Sequence, residues 1–485
     1  MIKSPASWTA LASLLLPSSL SAAELTDVAD AFDFDASNPF DFRLEPSFRY
    51  QSESGTIARE AGCDPGTEPD RCSEPQTVFN RELEYERSRS YLDTTFKIGL
   101  QRNFELHASL PLVFSDRTDL KFAEGVTQEN STIDPSDQRI DADLRSTGTV
   151  NPGFFGTYRF FDISSEGAGV DRSGFGDVTL GLAWSPLEST PEEPFGTLVL
   201  GFDYTLPSAQ IRSRTNDAVG RGVHNLRFTL AASRPIEFAE PYFAFTFDVP
   251  IAANRSLFQD SGSNQRLTAP GAEFKTRLGS EITMFRDAAS NQSYTLAGGF
   301  EYGYRFEGRD YTPLSDAFSR SSCNGLTPAE AGYRDQYGVA TAPNGNAYNP
   351  PSGTSREFAS CGWVVQAPAN ATDGTGLSAP DTRYVFDGIS DVEGFGTIGG
   401  HVQLNLQFSR YFELRVNSVV EWDSPHYLTN ADAGDDKDGD DSVDLQPDGG
   451  ERNPTFNLAY DAQGRRFRTD GTVRVTWGVT AALLL

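Results

Sequence analysis

The sequence lacks several features that common protein classes need. After the N-terminal stretch it has no apolar run near the roughly 20 residues of a membrane-spanning helix, and its mean hydropathy is -0.42. Positive charge is scarce, with 40 Lys and Arg against 68 Asp and Glu, which gives a net charge of -28 over 485 residues. A chain this acidic repels a phosphate backbone, so nucleic acid is excluded as a partner. Only 2 Met, against 44 Gly, 35 Phe and 17 Tyr, indicate a β-rich rather than a helical protein.

The N-terminus carries a pattern typical of export. Lys3 precedes a short apolar stretch and a run of small residues that ends at Ala23. This pattern predicts a secretory signal peptide over residues 1–23, cleaved after Ala23. Residues 24–39 form an acidic segment, either a plug or a periplasmic tail, and residues 40–485 form the folded domain.

Alternation of apolar and polar residues with period two is the strongest structural signal. In the first window Phe42, Leu44 and Phe48 share one face, while Arg43 and Arg49 lie on the other. Twelve windows of strand length show this pattern: 41–51, 91–100, 104–114, 178–184, 198–206, 226–232, 243–251, 274–284, 294–306, 398–408, 412–422 and 473–485.

The connections distinguish an outer-membrane barrel from a secreted β-sandwich, propeller or β-helix, whose strands alternate in the same way. Short links (101–102, 185–194, 234–240, 285–292 and 409–411) alternate with long ones (52–89, 115–174, 208–223, 252–271, 307–394 and 423–471). Short periplasmic turns and long outer loops are typical of transmembrane barrels. The sequence therefore predicts an all-β, antiparallel, twelve-stranded barrel in the bacterial outer membrane, in contact with lipid and lipopolysaccharide. The oligomeric state is not indicated.

The two strand faces would then meet lipid and the lumen. The predicted lumen-lining residues are Arg43, Arg49, Lys97, Glu105, Asp177, Asp203, Arg227, Asp248, Arg277, Glu301, Arg305 and Arg415. Over the whole inward face acids modestly outnumber bases, which predicts a mild cation preference. Alternatively, these charges pair, brace the wall and conduct little. Candidates for interfacial girdles, or simply aromatic strand ends, are Phe42, Tyr50, Phe104, Phe114, Trp184, Trp422 and Trp477.

The long loops contain the four cysteines. Cys63 and Cys72 lie in the first loop, and Cys323 and Cys361 lie in the fifth. In an exported protein this number suits two disulfides better than a metal site, and each pair is predicted to close its own loop. The fifth loop, 307–394, is also long enough to fold inward as a constriction.

The sixth loop contains a candidate calcium site. Within residues 436–444, which resemble the calcium repeats of thrombospondin type-three modules, the predicted ligands are Asp436, Asp438, Asp440 and Asp444. The spacing does not fit an EF-hand, because its invariant glycine and closing glutamate are missing. The alternative is a solvated acidic loop that binds cations loosely. No cofactor is required, and calcium is the candidate ion.

Two histidines come closest to a catalytic arrangement. His107, beside Glu105, would point into the lumen near the periplasmic end, where neither lipid nor external protein arrives. Around His426, the nucleophile Ser424, the base His426 and the orienting acid Asp423 would all come from one short segment. Such a segment is unlikely to place the three groups in the geometry of a triad. The sequence contains no Gly-x-Ser-x-Gly or His-Glu-x-x-His motif. The chain is predicted not to be an enzyme.

One stretch resembles a known family. Residues 174–182, GFGDVTLGL, followed by residues 201–208, GFDYTLPS, are similar to the outer-membrane family named for the meta-pathway of phenol degradation. The resemblance covers roughly residues 90–300. It implies a porin-like channel for passive uptake of a small solute, with an aromatic or hydrophobic compound as the typical cargo. The alternative is a surface structural or adhesion barrel with cation-binding acidic loops and a closed lumen.

The cysteine pairing is directly testable. Peptide mapping of the unreduced protein should recover Cys63 linked to Cys72, and Cys323 linked to Cys361, because the members of each pair lie in the same loop. The same digest after reduction is the control and should release all four peptides separately. A peptide that joins the first loop to the fifth would overturn the assignment.

Overall fold

The computed structural model describes most of the chain outside the N-terminal stretch and the largest loops. The described residues are 23–29, 41–63, 73, 76–101, 103–127, 131–132, 169–189, 195–212, 216–254, 256–258, 265–287, 289–318, 388–437, 439, 453, 455–456 and 460–484. Apart from Ala23, the predicted signal peptide lies outside them. Over this part of the chain, no helix is long and apolar enough to cross a bilayer.

Strands account for nearly all the regular structure. In chain order the elements are a 3-10 helix η1 (Glu24–Thr26), β1 (Asp41–Cys63), β2 (Gln76–Gln101), β3 (Phe104–Phe122), β4 (Arg172–Phe175), β5 (Thr179–Leu187), β6 (Thr197–Thr205), β7 (Val223–Ser233), β8 (Ala239–Ala252), β9 (Glu273–Asp287), β10 (Gln292–Arg305), β11 (Gly308–Asp310), α1 (Ser315–Phe318), β12 (Ser390–Val392), β13 (Phe395–Ser409), β14 (Phe412–Asp423), β15 (His426–Tyr427) and β16 (Phe467–Leu484).

Twelve of these strands close into one antiparallel barrel. The hydrogen-bonded order is β1-β2-β3-β5-β6-β7-β8-β9-β10-β13-β14-β16, and β16 returns to pair with β1. In that closing pair Phe48 lies opposite Val479, and Glu53 lies opposite Arg474. Closure leaves no unpaired strand edge, which a sheet in lipid requires. The predicted twelve-stranded barrel is confirmed, and each barrel strand contains or overlaps its predicted window.

The outside of the barrel is apolar and open to its surroundings. Phe300 is 78% exposed, Trp477 65% and Met284 55%, far more than side chains of a water-soluble core would be. Five predicted girdle aromatics are also outward and exposed: Tyr50, Phe114, Trp184, Trp422 and Trp477. A closed barrel with an apolar outer surface is suited to contact with lipid, so the chain is an outer-membrane β-barrel.

The wall of the barrel is taller on one side than the sequence predicts. β1 has 23 residues and β2 has 26, whereas a strand needs only about 9–11 residues to cross a bilayer. Both run through much of the predicted loop 52–89. Beyond Tyr50 the outward residues of β1 turn polar and remain exposed, as at Ser52 and Ser54. The apolar alternation stops where lipid stops, but the hydrogen-bond ladder continues.

The inward face changes polarity along the same overhang. On β1 the inward side passes from Glu53 to Ile57, and on β2 it passes from Arg87 to Leu83. Ile57 and Leu83 are fully buried, as is Leu120 on β3. At bilayer height the barrel is apolar outside and polar inside, whereas above the bilayer it is polar outside and encloses apolar side chains together with buried ion pairs such as that of Arg172 with Asp316.

The fifth loop and the sixth loop add aromatic residues to this upper apolar region. Phe318 of α1 stacks on Tyr460 with ring centroids 4.5 Å apart and meets Phe467 edge-on at 5.9 Å. Leu314, just before α1, is fully buried. The overhang therefore encloses a small hydrophobic core, which the described ends of two long loops help to fill.

Closure predicts unusual resistance to detergent. Because each barrel strand is hydrogen-bonded on both sides, no edge is available where detergent can begin to open the sheet. Without boiling, the protein should migrate on a denaturing gel at a different position from the boiled sample. A sample unfolded in urea beforehand is the control and should migrate like the boiled protein. Identical migration before and after boiling would contradict closure.

Candidate solute pathway in the barrel lumen

The lumen is occupied at the end where the short turns lie. Residues 23–29 lie inside the barrel. Because Ala23 belongs to the predicted signal peptide, the contacts of the residues after it are the relevant ones: the hydroxyl of Thr26 hydrogen-bonds to that of Ser233 at 2.7 Å. The N–H of Ala29 donates to Glu105 at 2.8 Å, and Asp27 accepts from Arg43 at 2.6 Å. These contacts come from β7, β3 and β1, on different sides of the wall. The segment therefore crosses the lumen and obstructs its short-turn end.

Apolar contacts hold the same segment. Leu25 and Val28 pack against the cluster of Val199, Ala231 and Ala244, three small inward side chains of β6, β7 and β8. Small residues leave room in the wall, and the segment fills it. Polar anchors and apolar packing thus act together on these seven residues.

The described ends of the fifth loop lie at the long-loop end of the lumen. Asp310 in β11 accepts from Arg221 at 2.7 and 2.9 Å and also pairs with Arg305 at the end of β10. Burial opposes ionisation of this carboxyl, yet the two guanidiniums hold the pKa of Asp310 below its usual range. Asp316 in α1 forms two hydrogen bonds with Arg172, both groups being buried. The described ends of the loop predicted to fold inward therefore lie over the mouth.

Between these two obstructions lies a polar cavity of about 580 Å³, here called the central cavity. Its charged lining consists of seven bases, Arg49, Arg87, Arg89, Lys275, Arg277, Arg415 and Arg474, and three acids, Glu53, Glu301 and Glu421. A side cavity of about 590 Å³ shares Leu25, Arg49, Lys275 and Arg277 with it. The shared lining makes the two cavities one connected interior space.

Ion pairs brace one half of this space. Glu421 on β14 accepts from Lys275 on β9 at 2.5 Å, although β10 and β13 lie between those strands. Arg474 reaches Glu53 at 3.2 Å and Glu421 at 3.4 Å. Such bridges tie distant strands together across the interior, so this part of the wall is both charged and internally neutralised.

The predicted lumen residues fall into two groups. Eight of them line the two cavities: Arg49, Asp177, Arg227, Asp248, Arg277, Glu301, Arg305 and Arg415. The other four, Arg43, Lys97, Glu105 and Asp203, lie nearer the short-turn end, where Lys97 pairs with Glu45 at 3.1 Å. Arg227 pairs with Asp248 at 2.9 Å, and Arg277 pairs with Glu301 at 2.7 Å.

Lys275 and Arg474 are inward by the period-two spacing of their predicted strands, but sequence reasoning missed four other charged residues of the central cavity. Glu53, Arg87 and Arg89 fall within the stretch assigned to a loop, and Glu421 was not among the predicted lumen residues. Their inward position follows from the period-two spacing of a strand, since Glu53 lies four residues after Arg49 and so points to the same side. The sequence indicated this by charged residues at every second position rather than by an apolar alternation.

The two histidine arrangements are non-catalytic in geometry. His107 lies between Glu105, at 3.0 Å, and Asp203, at 2.6 Å, and so bridges two carboxylates. His426 stacks on Phe395 with centroids 3.9 Å apart and bonds the backbone carbonyl oxygen of Ser424, not its hydroxyl. Burial lowers the pKa of His426 to about 4. Neither histidine is placed to activate a nucleophile.

The loop sites lie largely outside the described residues. Of the four predicted calcium ligands only Asp436 is described, and it accepts a hydrogen bond from the N–H of Gly439 at 2.6 Å. Asp438, Asp440 and Asp444 lie outside, as do the side chains of all four cysteines. Among the described residues, no group of three potential ligands is gathered for a metal. The calcium site and the disulfides remain predictions.

Comparison with known proteins adds little beyond the fold. No protein-family model matches the chain, and no curated protein sequence matches it. Among solved structures it is similar to an outer-membrane channel from Pseudomonas putida F1, with a TM-score of 0.37 and 10% identity over 94% of this chain and 100% of that one. A FadL homologue from Pseudomonas aeruginosa gives 0.30 at 10% identity, over 91% and 90%. The protease OmpT from Escherichia coli gives 0.28 at 8%, over 92% and 97%. Likenesses this distant do not decide function.

The bracing role of Glu421 can be measured. Glu421→Gln should leave Lys275 and Arg474 without their shared carboxylate, which should lower the free energy of unfolding by about 1–3 kcal/mol. Urea unfolding in detergent, followed by tryptophan fluorescence, gives the value. Glu84→Gln is the matched control, because Glu84 is 41% exposed and lies 3.6 Å from Lys121, which is 58% exposed. Equal effects of the two substitutions would show that the internal bridge adds nothing.

Proposed function

We propose that this barrel is a gated outer-membrane channel for passive passage of a small polar solute. The observation that carries the proposal is the connected, charged interior of the two cavities between the obstructions at the two ends. Charged walls keep a lumen wet, and a purely structural barrel has no need to maintain such a space. The resemblance over residues 90–300 to the phenol meta-pathway family also points to a channel, although the cargo that it implies is aromatic or hydrophobic.

The size of the barrel suits a selective pathway. Eight strands enclose an interior that side chains just fill, while sixteen or more leave an open aqueous channel. Twelve strands lie between these limits, so segments folded into the lumen control passage. Residues 23–29 and the start of the fifth loop are placed to do this. Passage then requires at least one of them to move.

The lining favours a polar cargo over an aromatic or hydrophobic one. Every charged group of the central cavity faces the interior, and Tyr91 is its one aromatic residue among the described lining. An apolar solute would displace water from guanidinium and carboxylate groups without replacing their hydrogen bonds, which is costly. The proposed cargo is therefore small and hydrophilic.

A surface structural barrel is the second candidate. It is favoured by the occupied ends of the lumen and by ion pairs such as Lys275 with Glu421, which join distant strands. In this alternative the acidic sixth loop holds calcium or the cations that bridge lipopolysaccharide, and the lumen never opens. Conductance distinguishes the two candidates.

Weakening the contacts of Asp310 should open the pathway. In planar bilayers, Asp310→Asn should raise conductance or open time, because the fifth loop loses its ion pairs with Arg221 and Arg305. The pKa of Asp310 is lowered from the ordinary value of 3.8. Acidification should therefore protonate this carboxylate, and reproduce the effect of the substitution, only at a pH below 3.8. Asp470→Asn is the matched control, because it removes an exposed ion pair with Arg81.

A second variant tests the other end of the lumen. Deletion of residues 24–29 removes the segment that crosses the short-turn end and should also increase conductance. If wild type, Asp310→Asn and the deletion variant are all silent in bilayers, the channel function is rejected and the structural barrel is supported.

A further inference from the structure

Three basic residues form a column on one wall of the central cavity. Arg87 and Arg89 point inward from β2, two residues apart and so about 7 Å along the strand. Arg49 points inward from the neighbouring β1, where its partner in the register is Tyr91, the next inward residue of β2. All three basic residues line the central cavity. The column therefore runs along the pathway rather than around it.

Two members of this column have unused hydrogen-bond donors. Arg87 is satisfied, because it makes two hydrogen bonds of 2.8 Å with Asp116. Arg89 lies 3.7 Å from the same carboxylate, beyond hydrogen-bond distance, and its buried Nε has no hydrogen-bond partner. Its guanidinium instead lies over the ring of Tyr91, 4.7 Å from the centroid. Asp116 thus accepts both of its hydrogen bonds from Arg87 and none from Arg89.

Arg49 also has unused donors, although its Nε is bonded: its two terminal amino groups make no hydrogen bond with the described residues. Its Nε donates to the hydroxyl of Ser47 at 3.3 Å, and among the described residues no carboxylate lies within ion-pair distance of its guanidinium. The nearest inward acid on β2 is Asp93, which has a buried carboxylate oxygen without a hydrogen-bond partner. Asp93 lies on the short-turn side of Tyr91 and offsets the column only in part.

The three acids of the central cavity do not compensate these groups. Glu53 forms an ion pair with Arg474, Glu421 with Lys275 and Arg474, and Glu301 with Arg277. The excess positive charge is therefore concentrated on the wall that carries Arg49 and Arg89. This distribution favours anions, whereas the predicted cation preference weighed all inward charges equally and did not include Glu53, Arg87 and Arg89.

The basic surface continues toward the mouth. A smaller cavity of about 140 Å³ above the central one shares Glu53, Arg87 and Arg474 with it and is lined also by Arg212. Arg212 is half-buried, its guanidinium lies 4.4 Å from the centroid of the Tyr311 ring, and its buried Nε has no hydrogen-bond partner. Burial and the neighbouring Arg172 and Arg87 lower the pKa of Arg212 to about 10, so it remains charged at neutral pH.

We propose that Arg49 and Arg89 form an oxyanion site on the lumen wall, which binds a carboxylate- or phosphate-bearing solute during its passage. A guanidinium presents paired N–H donors that match an oxyanion, and unused donors in a narrow lumen have no better partner. The solute need only cross the cavity to meet them. The inference rests on the proposed channel function for passage, but the binding site itself does not.

Binding can be measured without conductance. Inorganic phosphate, titrated into the purified protein in detergent, should raise the unfolding temperature of the wild type. Each of Arg49→Gln and Arg89→Gln should weaken the apparent affinity about tenfold, as expected for loss of a charge-assisted hydrogen bond. Arg89→Lys should restore part of it, because the charge remains but the paired donors are lost. Arg117→Gln is the control, because that exposed arginine pairs with Asp119 outside the cavities.

Planar bilayers test the same site during passage. Under a potassium chloride gradient the wild type should show a reversal potential of the sign given by chloride, and phosphate should block the current. The Arg49→Gln/Arg89→Gln double variant should lose the block and shift the reversal potential toward potassium. The Arg117→Gln variant should behave like the wild type in both respects.

The outcomes separate the two proposals. A conducting channel that prefers potassium, or that phosphate neither blocks nor stabilises, overturns the oxyanion site and leaves the channel function intact. A silent protein whose unfolding temperature rises with phosphate, but not in the double variant, supports the site and rejects the channel. Silence together with no thermal shift rejects both.

Discussion

Every other property of this molecule depends on the closing pair between β1 and β16. In lipid a strand edge exposes backbone groups that nothing else can satisfy, so the sheet is viable there only as a closed ring. Pairs such as Phe48 with Val479 complete that ring. Once the ring is closed, the alternation of side chains sends one set of residues into lipid and the other into the lumen.

The lumen is organised by unequal pairing of its charges. On the side of β9, β14 and β16, carboxylates such as Glu421 each serve more than one base, and the strands are tied together. On the side of β1 and β2, Asp116 is committed to Arg87, and Arg49 and Arg89 have no comparable partner. The ion pairs that brace the wall and the proposed oxyanion site thus belong to different parts of the barrel. A count of acids and bases cannot distinguish these parts, because pairing depends on which strands become neighbours.

The sequence was sufficient for the barrel and insufficient for its interior. Where a strand crosses the membrane, the face in contact with lipid must be apolar. The alternation of apolar and polar residues, as in 41–51 and 473–485, can therefore be recognised in the sequence. Above the membrane that constraint ends, and Arg87 and Arg89 were therefore assigned to a loop although β2 continues through them. The position of residues 23–29 was equally hidden, because contacts such as Ala29 with Glu105 join segments far apart in the chain.

The change of polarity along the overhang has a consequence for assembly. The part of the chain that must pass through the bilayer during insertion is the polar outer half of β1 and β2, and its small core around Ile57 and Leu83 can bury its apolar side chains only once it stands in water. The overhang therefore folds only after it has crossed the bilayer. To leave the membrane the barrel would first have to unfold this core, so the folding free energy of the overhang maintains the orientation of the barrel.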